Sequence, residues 1–460
     1  MADSTLSSSV VTPIPAVKYS GISFNALMGL YLAAVLLPWG LSLIEGLEVR
    51  GWYEETVVFL SIITFSMMLL QFALTPRVDV VANLSGVDNT MRVHNRFGEY
   101  LGYLVLLHPF LIVLPRFIVA PSFAPGDVWD LFTQSETSTG MYAWSLMLVW
   151  VLMAVFKDKT GLSYEAWRYT HGIGFIAVII LATHHAVTVG RHGRYNAWFD
   201  GLWIVLCALA VGTVLYIWFL RPKRVAQQPF RVVECHKGSS DDWYLTLEKD
   251  GDFPFDFDAG QFAWINTSDS VYARNDHPFS IATSSDSLPK LSFVIRELGD
   301  YTKQLGKLKS GQLVWLDGPH GVFTLNARNA TGVVLIAGGA GIGPIMGILR
   351  ELDAVGDRRP VKLVYGNRNI EQMLFLDEFE AMRERLNLNV HLVLDHPPEI
   401  FDGHRGFIDR EVLSTVMDQP EHVNWDYYIC GPPPMVKAVE NHLKALSVPK
   451  DRILYEQLGF

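Results

Sequence analysis

Six segments within the first 220 residues are almost free of charge, and they limit the fold more than any other feature of the chain. They are Gly21–Ile44, Thr56–Pro76, Tyr100–Pro115, Thr137–Phe156, Tyr169–Gly190 and Gly201–Leu220. A helix needs roughly 17–25 apolar residues to cross the hydrocarbon core, where every backbone polar group must be satisfied within the protein. The third segment reaches that length when Phe97–Glu99 or Arg116–Val119 joins it. A single apolar helix can belong to a soluble core; six in succession predict a transmembrane bundle over 21–221, preceded by a disordered Ser/Thr-rich tail, 1–20. No short apolar stretch with a cleavage site precedes the first span, which is read as the membrane address.

The distribution of Lys and Arg orients the bundle. Arg77, Arg92 and Arg96 follow the second span, Lys157, Lys159 and Arg168 the fourth, and Arg221, Lys223 and Arg224 the sixth. Between Phe117 and Phe156 there is no Lys or Arg, while Asp127, Asp130 and Glu136 lie there. Arg50, Arg191 and Arg194 run against the trend. The balance predicts a multi-pass protein of the cell membrane with its N-terminus and C-terminal half in the cytoplasm. A net charge of −10 argues against a nucleic-acid partner. The 3 cysteines, Cys207, Cys235 and Cys430, are too few for a disulfide scaffold and lack the spacing of a zinc or iron–sulfur site.

Histidines supply what cysteines do not. The third span carries His94 and His108, and the fifth carries His171, His184 and His185. Ionisable side chains inside a membrane span mark function. Both spans run in the same direction, so their first histidines share one depth and their second ones another, separated by a rise of roughly 20–21 Å. Two haems stacked across the bilayer, each held by one imidazole from each helix, fit this spacing. A step of fourteen residues, His94 to His108 or His171 to His185, returns to about the same helix face, whereas the step to His184 ends about 140° away. Ideal geometry therefore prefers His185; a π-bulge near Gly172 and Gly174 admits His184.

After Leu220 the stretch "RPKRVAQQP" reads as a basic linker, and the remainder alternates short apolar runs with turn residues. A small β-barrel is predicted over 228–327, with strands in "RVVECH", "QFAWINT", "HPFSIATS" and "LSFVIREL". A doubly wound α/β domain is predicted over 328–460. Its strands are Gly332–Ala337, Val361–Tyr365, Val390–Leu394 and Tyr427–Cys430. The first runs into "GGAGIGP", glycines followed by a helix opening at Pro344, where backbone can approach a pyrophosphate. Ligands of such sheets sit at the C-terminal strand ends, where "CGPPPM" also lies. Arg296 and the turn Gly299–Thr302 offer donors to a diphosphate.

In order, "HPFSIATS", "VIRELGDYTKQL", "GPHG", "AGGAGIGP", "CGPPPM" and "EQLGF" resemble the motifs of the ferredoxin–NADP reductase-like flavin module. Behind six spans with paired histidines, the chain resembles the NADPH oxidase and ferric reductase superfamily over roughly 24–460, and "YEAWRYTH…ATHH" is similar to the fifth span of the oxidases. The resemblance implies FAD, two b-type haems and NADPH, with NADH as the alternative nucleotide. It implies that His277, Pro278, Phe279 and Ser280 line FAD, with Ser280 near the reactive nitrogen, and that Arg296, Gly299 and Thr302 hold the diphosphate. Gly339, Gly341, Gly343 and Pro344 would take the nicotinamide nucleotide, Cys430, Gly431 and Pro432 the nicotinamide end, and Arg368 a 2′-phosphate. Phe460 would stack on the flavin. His94 and His171 would hold the inner haem, and His108 and His184 the outer one. Ile112 stands where oxidases carry a further histidine. The implied activity is electron transfer from cytoplasmic NAD(P)H to an outer acceptor, O2 with superoxide formed, and ferric chelates competing. A dedicated ferric-chelate reductase, a haem-free flavin reductase anchored by its spans, and a channel whose histidines relay protons are the other readings. The basic cluster Arg191, His192 and Arg194 is expected to attract an anionic acceptor or superoxide.

Overall fold

The computed structural model describes residues 22–460, apart from 157–158, 160, 193–195, 326–329 and 458–460 and the side chains at 83, 85, 88 and 457. The expected tail, Lys157, Arg194 and Phe460 lie outside the described residues.

The apolar segments fold as helices α1 (Phe24–Ser42), α2 (Trp52–Leu70), α4 (Val87–Val119), α6 (Ser138–Val155), α7 (Tyr164–Thr188) and α8 (Ala197–Leu215). All six are long and apolar enough to cross a membrane. Two shorter helices, α3 (Asp79–Ser85) and α5 (Ala124–Thr133), flank α4. Ser23 and Ser163 cap α1 and α7, each accepting from a backbone N–H three residues on at 3.2 Å. The bundle's interior is packed by Tyr31, Phe65, Val178, Ile179, Phe199 and Trp203, while Leu37, Ile118 and Leu209 face outward. An outward apolar surface suits a lipid solvent. The third span is longer than expected: α4 takes in both candidate extensions and runs through Pro109 and Pro115.

The predicted linker is not extended. The last span continues as a π-turn, Tyr216–Leu220, and a short helix, α9 (Arg221–Val225). The continuation carries Arg221 to the soluble half.

Strands β1 (Pro229–Lys237), β2 (Asp242–Lys249), β3 (Phe262–Asn266), β4 (Asp276–Ser280), β5 (Lys290–Arg296) and β6 (Leu313–His320) form one sheet in the order β4-β3-β6-β1-β2-β5. A bridge between Ile281 and Phe293 joins its two edges, closing a barrel. Phe230, Leu245, Leu247, Ile265, Phe293 and Val314 fill the interior. The single turn α10 (Asp300–Lys303) follows β5.

The last domain is a parallel sheet of β7 (Val333–Gly338), β8 (Val361–Asn367), β9 (Leu388–Leu394), β10 (His404–Arg405), β11 (Asp426–Gly431) and β12 (Ile453–Gln457). Helices α11 (Ile342–Ala354), α12 (Leu376–Arg383), α13 (Arg410–Val416) and α14 (Pro433–Ala445) lie among them in sequence. The order β10-β9-β8-β7-β11-β12 reverses between β7 and β11. Both strands at that reversal are buried along their whole length, as expected of strands covered on two faces. The crevice where ligands bind in such sheets lies there.

Arginines of the bundle join aspartates of the barrel. Asp317 of β6 pairs with Arg77 and accepts from Arg221 Nε at 2.7 Å. Asp276 of β4 pairs with Arg77 and accepts from Arg168 Nη1 at 2.7 Å. Ala82, Val87, Phe262 and Trp264 pack beside these pairs. Burial alone would raise the Asp317 carboxyl. A hydrogen bond from His320 and the charges of Arg77 and Arg221 outweigh it and hold the group well below the usual carboxylate range. Its contribution is therefore complete above the unfolded value of about 3.9 and is lost only in strong acid, so this contact is insensitive to pH near neutrality. Asp317→Ala leaves two inward-facing guanidiniums short of a partner, at a cost of about 3–5 kcal/mol. Hydrogen–deuterium exchange of the detergent-purified variant is expected to be faster across 221–225 and β6 while the nucleotide domain exchanges as in the parent.

Candidate functional site

The soluble part of the site lies where barrel and nucleotide domain meet. Gly339, after β7, has φ +54, a left-handed conformation suited to glycine, and a Cβ there would stand 3.1 Å from the Arg296 guanidinium. A Cβ on Gly341 would lie 2.2 Å from the Cys430 carbonyl oxygen, so the loop after β7 and the end of β11 touch through backbone alone. Pro344 falls in the first turn of α11, which starts at Ile342. Gly343, Pro344 and Cys430 are buried, whereas Pro432 is exposed at the head of α14. The expected nucleotide residues thus gather at the sheet reversal.

Ser280, at the end of β4, donates from Oγ to Glu456 Oε2 at 3.0 Å. Glu456 sits on β12, directly beside Cys430 in the parallel register. Glu456 is not among the residues expected from the sequence. The motif "EQLGF" draws attention to its terminal aromatic, although the apolar run Ile453–Tyr455 before it is a strand signal. Gly347 is a second such residue: a Cβ there would stand 2.7 Å from the Ile281 carbonyl oxygen, so α11 packs directly on the barrel wall.

The expected flavin residues divide by strand alternation. His277 packs tilted against Tyr301 with ring centroids 4.0 Å apart, and Phe279 lies near parallel to the same ring at 6.0 Å. His277 Nε2 also stands 3.3 Å from Glu165 at the start of α7, which brings this strand against the bundle. Burial holds the His277 imidazole below its ordinary value, although Glu165 opposes this. Arg296 is held bidentately by Asp242 at 2.9 and 3.0 Å, leaving Nη1 toward Gly339. Thr302 Oγ1 accepts from the backbone of Leu298 and Gly299, so its hydroxyl closes its own turn. Arg368 is exposed just after the C-terminal end of β8.

Within the bundle the histidines sort into two groups. His94 and His171 lie within electrostatic reach of each other, as do His108 and His185. Nδ1 of His94, His171 and His185 is buried without a hydrogen-bond partner. An imidazole left in that state costs free energy, and in a membrane span it points to a ligand. Among the described residues no group of three or more His, Cys, Asp or Glu side chains is placed to hold a metal ion.

A cavity of about 360 Å³ contains both His108 and His185 and is otherwise lined mainly by apolar residues, Ile112 and Trp144 among them. His184 does not line it: that side chain is exposed, with Nδ1 3.2 Å from Thr139. Gly140 of α6 makes room for the His185 ring, since a Cβ there would stand 2.6 Å from Nδ1. Ser61 fixes His108. Its hydroxyl donates to the Val57 carbonyl at 2.7 Å, so toward His108 Nδ1, 3.2 Å away, it acts as acceptor. His108 then carries its proton on Nδ1 and keeps the Nε2 lone pair for a metal. Neither Ser61 nor Gly140 stands out in the sequence, because a lone serine or glycine in an apolar helix carries no pattern.

Arg191 and His192, the described members of the basic cluster after the fifth span, line this cavity and have acidic partners. Arg191 pairs with Glu55 at 2.5 Å and donates to the Glu48 carbonyl, and His192 Nδ1 stands 2.5 Å from Glu45.

Three family models match in tandem: "Ferric reductase like transmembrane component" over 60–182, "FAD-binding domain" over 227–327 and "Oxidoreductase NAD-binding domain" over 335–441. This succession matches the architecture of the ferric reductase and NADPH oxidase superfamily. Similar curated proteins cover the soluble half. The reductase component of propane 2-monooxygenase from Mycolicibacterium goodii is 31% identical over 44% of this chain and 59% of its own length. NADH-cytochrome b5 reductase 1 from Laccaria bicolor is 33% identical over 33% of this chain and 51% of its own length. The chain thus spans little more than half of the relatives it matches. The cytochrome P450 reductase GcoB of Amycolatopsis is a similar solved structure, 26% identical, with a TM-score of 0.45 over 50% of this chain and 69% of that one.

Proposed function

We propose that this protein carries electrons across a cell membrane, from cytoplasmic NAD(P)H to an acceptor on the outer face, with O2 as acceptor and ferric chelates competing for the same electrons. The observation that carries the reading is the arrangement of two imidazole pairs in the bundle, with the flavin-type barrel docked on one end of it. We place the transmembrane domain at 21–221, the FAD domain at 228–327 and the nucleotide domain at 328–460, with the soluble half on the cytoplasmic side.

When bound, FAD and two b-type haems supply the conversion of a hydride's electron pair into single electrons and their passage across the bilayer. The chain's own residues hold and orient. His94 and His171 would hold the inner haem. His108 and His185 would hold the outer one, a reading supported by the cavity that His185 shares with His108 and His184 does not line. Ser61 fixes the tautomer of His108, and Gly140 admits the His185 ring. Gly339 and Gly341 let backbone approach a pyrophosphate, with the N-terminus of α11 facing the same charge. Arg296, once a diphosphate arrives, offers Nη1 while Asp242 keeps its plane fixed. Ser280 and Glu456 form the proton-holding pair between the barrel and Cys430. Arg368 is the residue placed to meet a 2′-phosphate, which favours NADPH over NADH.

Haem content tests the ligand assignment. Purified His185→Ala is expected to keep one b-type haem per chain in the dithionite-reduced spectrum, and His184→Ala to keep both. The opposite pattern transfers the role to His184, and no haem in the parent protein removes the relay altogether.

Nucleotide choice is read from steady-state kinetics. Arg368→Ala is expected to lower kcat/KM for NADPH by about tenfold, in line with loss of one charge-assisted contact, and to leave NADH within about twofold. Equal kcat/KM for both nucleotides in the parent would reject the preference.

The acceptor is tested with the parent protein, FAD and NADPH. Superoxide-dismutase-sensitive reduction of cytochrome c in air is the expected result, alongside anaerobic reduction of a ferric chelate. Rapid iron reduction with no superoxide in air would assign the protein to the dedicated ferric reductases.

A further inference from the structure

The junction of bundle and barrel encloses a second, smaller cavity of about 60 Å³, walled by Arg77, Arg168, Arg221, Arg274, Asp276 and Asp317 among others. None of the expected flavin or nicotinamide residues lines it. Its wall holds four guanidiniums against two carboxylates, an excess of two positive charges. Asp79, 3.0 Å from Arg221 Nη2, reduces the excess without removing it.

The carboxylates are already committed. Asp276 is shared by Arg77 and Arg168, and Asp317 by Arg77 and Arg221. Arg274 is left over. Its guanidinium lies 4.1 Å from the centre of the Trp218 ring and 5.3 Å from that of Tyr169. Among the described residues it has no carboxylate partner and makes no hydrogen bond. Burial pulls it down to about 10, the direction expected of a cation withdrawn from water without a counter-ion. Aromatic rings carry no formal charge, so the N–H donors of this cation are left for an anion.

The setting identifies the source of that anion. Trp218 belongs to the end of the last span, Arg168 and Tyr169 to the start of the fifth, and Arg77 follows the second. This is the depth of lipid headgroups, where Trp and Tyr concentrate. Phe219 and Leu220, next to Trp218, are exposed apolar side chains that acyl chains can cover. Lys223 and Arg224 are exposed one turn further on and add positive charge toward the leaflet surface.

We propose that this cavity takes the phosphate of an acidic phospholipid from the leaflet facing the barrel, with Arg274 as its main contact and the bundle arginines around it. The lipid would tie the strand end bearing Asp276 to the last and fifth spans. The proposal stands apart from the electron-transfer reading, since binding needs no turnover.

The test uses the full-length purified protein and native mass spectrometry with added dioleoylphosphatidylglycerol or dioleoylphosphatidylcholine. Phosphatidylglycerol is expected to bind about tenfold more tightly, and Arg274→Gln to abolish that preference. Arg274→Lys, which keeps the charge, should retain most of it, and so should Lys223→Gln, which alters only an exposed charge outside the cavity. Equal affinity for the two lipids in the parent, or a preference unchanged in Arg274→Gln, overturns the proposal. Inorganic phosphate is the third probe. If it binds with the same Arg274 dependence while phosphatidylglycerol does not, the site belongs to free phosphate and the lipid assignment fails.

Discussion

The carboxylate of Asp317 is the contact on which the arrangement of this molecule turns. It belongs to a barrel strand, yet its partners, Arg77 and Arg221, belong to the membrane half. Arg221 reaches it only because the last span does not stop at the membrane boundary but continues as helix through Val225. Charges buried together require each other, since removing either strands the rest in a medium that cannot solvate it. The register between the bundle, with its paired imidazoles, and the flavin-type barrel is therefore set by a few polar atoms. The apolar patch around Trp264 and Val87 packs beside them.

Inside the bundle the same physics acts in reverse. His94, His171 and His185 are buried with an unpaired ring nitrogen, which an apolar environment does not tolerate without return. His108 differs in being pinned by Ser61, whose only proton is already given to the Val57 carbonyl. One hydroxyl thus decides which nitrogen of one imidazole faces the cavity. A single glycine, Gly140, decides whether a neighbouring imidazole can enter it.

Much of this is legible in the sequence, and the reasons are specific. The six spans announce themselves because a stretch of about twenty residues without charge rarely survives on a water-facing surface. The glycine loop and the proline of α11 are legible because backbone approach demands those residues. The helix-face argument favours His185 from spacing alone, while the family register points to His184. Contacts between distant parts of the chain are not legible. Nothing local in "DWYLTLEK" says that Asp242 will clamp Arg296, and nothing near Arg221 says that a helix will carry it to Asp317. Strand β12 escapes notice because its five residues look like a tail to a terminal motif. The pairing of Arg191 and His192 is not legible either, because their partners, Glu45, Glu48 and Glu55, come from a distant part of the sequence.

Strand β4 touches all three domains within five residues. Asp276 meets the arginines of the bundle, His277 meets Glu165 of the fifth span, and Ser280 meets Glu456 beside Cys430. An extended strand rises about 3.3 Å per residue and has no slack along its axis. It behaves as a push-rod roughly 13 Å long, from Asp276 to Ser280. The membrane end and the nucleotide end of the molecule are in this sense held a fixed distance apart by a single strand.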